Sequence, residues 1–113
     1  MERIKEKLLE LPERRYIKTL EIIKMINERN ALKKAVNAIE SSFMGMITQE
    51  MAGEKPKYAN ETARKAELQT RLFLNKDFNN NSIELDKIDN RIEELKAEIE
   101  LIKDTMEVYK VVI

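Results

Sequence analysis

Leu85, Ile88, Ile92, Leu95, Ile99, Ile102, Met106, Tyr109 and Ile113 follow one another at alternating intervals of three and four residues, and all are apolar. That alternation keeps side chains on one narrow stripe of a helix, the a/d seam of a coiled coil. Glu93, Glu94, Lys96, Glu98, Glu100, Lys103 and Asp104 fill the positions between and read as a solvated face. Upstream, Asn81 or Ser82 is suited to cap the helix, and Glu84, three residues after Asn81, completes a capping box. A helix is predicted over about residues 82–110, with Val111–Ile113 fraying or packed on a partner.

A second, more interrupted stripe runs through the first half: Ile22, Met25, Leu32, Val36, Ile39, Phe43 and Met46, with Arg29 at its one polar position. Continued backwards, the phase meets Lys18 and Arg15, then Leu11, Leu8 and Ile4. Pro12 lacks an amide and disfavours helix in the residue before it. The expectation is a short helix at about 2–10, a break at Leu11–Pro12, and a long helix over about 12–45.

Residues 46–81 are too many for a simple link between neighbouring helices. Gly53 lies in a turn-like setting between Ile47–Met51 and Lys55–Tyr58, which predicts a small β-hairpin. Asn60 then reads as a helix cap, with Glu61 in the first turn, and a short helix is predicted over 61–74. The polar stretch from Asn75 to Asn81 reads as a loop. Tyr58, Phe73 and Phe78 are expected to anchor this segment to the long helices. The fold class is therefore all-α: two long helices with coiled-coil-like packing, joined by a short helix and a small hairpin. Residues 1–113 form a single helical domain in this reading.

Composition agrees. Charged residues make up 37% of the chain and aromatics 5%, with two Gly and two Pro, a profile of long helices. The formal net charge is zero, which does not point to nucleic acid, although that partner stays open. The charge is uneven. Residues 1–46 hold ten Lys/Arg and seven Asp/Glu, and residues 81–113 hold five and nine, so the basic half can lie beside the acidic half. No apolar run approaches the roughly 20 residues that cross a bilayer, so no membrane role and a cytoplasmic location are expected.

With no His and no Cys, imidazole acid–base catalysis, thiol chemistry and His or Cys metal ligation are excluded. Carboxylates remain. Glu94 and Glu98 share a face, and Glu10 and Glu13 form a short E-x-x-E, but a second set of acids to complete a magnesium site is not evident. Catalytic residues, metal ligands and cofactors are each expected to be none. Binding is the more natural role. Tyr58, Arg64 and Arg71 sit on the one segment longer than a connection requires, and Arg64 and Arg71, seven apart, share a helix face. Tyr and Arg dominate many binding surfaces, so these three are the candidate partner-binding residues.

The run "KPKYANETARKAELQTRL", followed by a polar turn and "LDKIDNRIEELKAEIELIKD", resembles small helical proteins of bacteriophages and prophages of low-GC bacteria. The resemblance covers about residues 47–110 and rests on Tyr58, Asn60 and Arg64, with Leu68 and Leu72. It implies a phage origin, and with it the cytoplasm of a host cell. The expected function is a non-enzymatic oligomeric binding protein, an accessory factor in phage DNA recombination or replication. The alternatives are an inhibitor of a bacterial defence nuclease acting protein on protein, and a magnesium-dependent helical hydrolase. The expected partners are another protein and a second copy of the chain, with the stripe from Leu85 to Ile113 as the oligomer interface.

Overall fold

In the computed structural model, which describes residues 2–112, the fold is all-α with one minimal hairpin. The elements are α1 (Glu2–Gln49), β1 (Met51–Ala52), β2 (Lys55–Pro56), α2 (Glu61–Leu74) and α3 (Lys76–Val112). They pack as two compact units, Met1–Arg29 with Lys87–Ile113, and Asn30–Asp86, so that α1 and α3 each contribute to both.

The first unit is an antiparallel helix pair. Lys18 bonds Glu98, Glu21 bonds Arg91 and Arg29 bonds Asp89, so that α3 runs backwards as α1 runs forwards. The α3 stripe faces inwards as expected: Ile88, Ile92, Leu95 and Ile102 are buried, and Ile99, Met106 and Tyr109 are half-buried. From α1 come buried Leu11 and half-buried Lys18, Ile22, Met25 and Arg29, whereas Arg15, in the same phase, is exposed. Ile4 and Leu8 belong to the same stripe, but their side chains lie outside the described residues, as does Ile113.

The expected break at Leu11–Pro12 does not occur, and Pro12 lies inside the 48-residue α1. A proline within a helix removes one hydrogen bond and costs about 3 kcal/mol. Its neighbour Leu11 is buried, and a groove lined by Leu11, Arg14, Leu101, Ile102, Thr105 and Tyr109 shows α1 seated on α3 at this level. Packing of that face holds the helix through the defect.

In the second unit α1 continues to Gln49, past the predicted end at 45. The stripe also changes phase. Met46 is exposed and Ile47 is fully buried, so the inward step from Phe43 is four residues rather than three. Ile47 and Leu72 are this unit's buried residues, with Leu32, Val36, Ile39, Phe43, Tyr58, Leu68, Phe78 and Leu85 half-buried around them. Phe73 does not anchor the segment, because it is 78% exposed.

The start of α3 also differs from expectation. The helix begins at Lys76, not 82, and only Asn75 separates it from α2. Asn75 serves both ends: its amide donates to the Leu72 carbonyl, and its Oδ1 accepts from the Phe78 amide at 2.8 Å. Asn79 donates from Nδ2 to the Phe73 carbonyl, satisfying an orphan acceptor of α2. The Asn-rich run is thus a capped joint followed by helix.

Candidate binding site

The hairpin is set by Gly53. Met51 pairs with Pro56 and Ala52 with Lys55, leaving Gly53–Glu54 as a two-residue turn. Gly53 has φ +71 and Glu54 has no positive φ, the pattern of a type II′ turn, which places glycine first. The Lys57 amide donates to the Glu50 carbonyl at 2.9 Å and closes the base of the hairpin. Asn60, extended at φ −131, then accepts from the Ala63 amide at 2.8 Å and starts α2 where the sequence places it. Lys65 pairs with Glu61 at 3.1 Å and lowers that carboxyl below its ordinary range.

Tyr58, Arg64 and Arg71 are brought together, and their polar groups are used within the unit. Arg64 Nη1 donates to the Tyr58 carbonyl at 3.3 Å. Arg71 Nε donates to Glu67 Oε1 at 2.9 Å and Nη2 to Glu50 Oε1 at 2.7 Å. The bonds from Glu67 and then Glu50 hold the Arg71 guanidinium charged more firmly than usual, with a smaller share from Tyr58. Glu67 is pulled below the usual carboxylate range, first by its bond from Arg71. The Lys57 ammonium stands 5.5 Å from the centre of the Tyr58 ring, within cation–π reach. The three side chains therefore strut the hairpin against α2. Glu67 reads from sequence as a pairing partner of Arg64 and is taken instead by Arg71, whereas Glu50, which completes the cluster, was not singled out. Glu67 is detectable there as an i, i+4 partner of Arg71; Glu50 lies too far away in the chain.

This unit also exposes large apolar side chains. Phe73 and Leu74, adjacent in the last turn of α2, are 78% and 75% exposed, and Met51 on the hairpin is exposed as well. None of these was legible as a surface residue, because each fits an apolar position.

The predicted oligomer seam is divided between the units. Leu85 lies in the second, half-buried, and Ile88, Ile92, Leu95, Ile99, Ile102, Met106 and Tyr109 pack against α1 within the first. A charged network flanks that packing. Glu98 accepts from Lys18 at 2.6 Å and lies 3.8 Å from Arg91 Nη1, while Arg91 also reaches Glu94 at 3.3 Å and Glu21 at 3.2 Å. The bond from Lys18 holds the Glu98 carboxyl below its ordinary range, and Glu94 and Glu21 hold Arg91 above its own. Glu94 and Glu98, the candidate magnesium pair, are thus taken up by Arg91 and Lys18.

Comparison with protein families, with curated proteins and with solved structures finds no match to this chain. Among the described residues, no helix is long and apolar enough to cross a membrane.

Proposed function

We propose that this chain is a non-enzymatic helical protein that works, as an oligomer, by binding another protein. The observation that supports this is the exposed pair Phe73–Leu74 at the end of α2. Two large apolar side chains side by side in solvent contribute little to folding, and aromatic groups on a rigid helix make effective anchors. Asn75 and Asn79 cap this helix end, so the pair is presented on an ordered element. A neutral chain with an apolar anchor fits a protein surface better than a phosphate backbone. Tyr58, Arg64 and Arg71 then act behind the contact by fixing the hairpin and α2.

Within this reading, the resemblance carried by Tyr58, Asn60 and Arg64 suggests a phage-type accessory factor that docks on a recombination or replication protein. A tagged chain used as bait in bacterial lysate, with captured proteins read by mass spectrometry, tests it. Recombination or replication proteins captured by the unchanged chain and lost with Phe73→Asp support the assignment. A defence nuclease captured instead reassigns the chain as an inhibitor. Capture unaffected by Phe73→Asp and Leu74→Asp overturns the site.

A further inference from the structure

The outward side of α1 in the first unit carries a second apolar set. Leu9, Tyr16, Ile17, Leu20 and Ile23 are all exposed. Leu9, Tyr16, Leu20 and Ile23 recur at seven, four and three residues, the spacing of a coiled-coil seam with exposed Glu13 at its one polar position, about half a turn round the helix from Leu11, Lys18, Ile22 and Met25.

Charge identifies the occupant. Glu10 and Lys24 flank the stripe, both exposed and without an ion-pair partner among the described residues. When a second α1 is laid antiparallel about a twofold axis, Tyr16 meets Leu20 of the second copy, and Leu20 meets its Tyr16. Ile17 then meets its own mate at the centre, and Glu10 meets Lys24 of the other copy at each end. Each contact away from the centre occurs twice, as an isologous interface requires. The outward residues of α3 offer no such match. Glu100 and Glu107 flank Leu101, Val108 and Val111 on one side, so two copies would set acid against acid.

We propose that the chain forms an antiparallel homodimer through the outward face of α1, centred on Ile17 and Leu20, with Glu10 of each copy paired to Lys24 of the other. The proposal rests on the reading of the chain as an oligomeric binding protein and moves the interface from α3 to α1. Sedimentation equilibrium should give twice 13.3 kDa for the unchanged chain. Leu20→Asp should give a monomer with unaltered helical circular dichroism, because Leu20 is exposed in the unit. Lys24→Glu should weaken the dimer by about tenfold or more, through like-charge contact with Glu10. Glu10→Lys combined with Lys24→Glu should restore it. A monomeric unchanged chain, a dimer indifferent to Leu20→Asp, or a double reversal that restores nothing overturns the interface. Protein capture by monomeric Leu20→Asp would show that the binding function stands without it.

Discussion

Arg71 reaches the carboxylate of Glu50, 21 positions earlier in the chain, at 2.7 Å, while its Nε holds Glu67 one turn away at 2.9 Å. One guanidinium thus ties the residue following α1 to the last turn of α2 and spans the hairpin between them. The two contacts use different nitrogens of a planar fork, which an ammonium on a flexible stem cannot reproduce. Arg71→Lys should therefore lower the melting temperature, and Arg71→Ala should lower it further. Amide exchange at Lys57, which donates to the Glu50 carbonyl, should quicken in both. Unchanged melting and exchange in both variants would remove Arg71 from its role as a strut.

The change of phase at the end of α1 gives a paired test. Ile47 is fully buried and its neighbour Met46 is exposed. Ile47→Ala should cost about 2–5 kcal/mol in chemical denaturation, and Met46→Ala a small fraction of that. In the first unit, buried Ile92 and exposed Lys103 form the matching pair, with about 2–5 kcal/mol expected for Ile92→Ala and under about 0.5 for Lys103→Ala. Similar losses within either pair would mean that the inward face is misplaced.

The α3 stripe and the limits of α2 were legible because each depends on local rules, side-chain periodicity in one case and the Asn60 cap in the other. The joint at Asn75 was not. Three consecutive asparagines from Asn79 favour turns by composition, and nothing local reveals that Asn79 bonds back to Phe73 across the joint. Pro12 misled in the same way, because its local cost is certain while the packing that outweighs it is tertiary. Tyr58, Arg64 and Arg71 stand out in the sequence by residue type, and the structure uses their polar groups within the unit. Their internal partner Glu50 was not legible, since no periodicity connects it to them.

The Asn75 joint yields its own prediction. Its side chain caps α3 while its backbone closes α2. Asn75→Ala should cost about 0.5–2 kcal/mol, and Asn75→Asp, which keeps the acceptor, considerably less. If both variants melt alike, the side-chain cap contributes nothing measurable.

Arg29 occupies a polar place in an otherwise apolar stripe. Its Nη1 reaches Asp89 at 3.4 Å, and its Nε is enclosed with no hydrogen-bond partner. A long contact and an orphaned donor are poor compensation for desolvating a guanidinium, and replacement of such a group by a hydrophobic one of similar size is often neutral or stabilising. Arg29→Leu should therefore raise the melting temperature. A lower one would show that the Asp89 pair outweighs the unsatisfied nitrogen.

Acid should unfold the chain partly through Glu98. The bond from Lys18, with Arg91 nearby, holds its carboxyl below the ordinary range in the folded state. In the unfolded chain it titrates near an ordinary glutamate, at about pH 4.3. Between those two values the unfolded state binds more protons, so stability rises with pH. The contribution is complete above the ordinary value and is lost as pH falls through the folded one. Glu67 adds to the same slope, because Arg71 lowers it in the same direction. The melting temperature should thus be flat near neutrality and fall once pH drops below the ordinary glutamate range. Glu98→Gln should melt lower than the unchanged chain at pH 7, and the gap should narrow as pH falls, because the unchanged chain loses the same charge. Added salt should also narrow the gap at pH 7, since these side chains are partly exposed and screened. Two melting curves that stay parallel from neutral to acid pH would show that the Lys18–Glu98 pair contributes nothing to the acid limb.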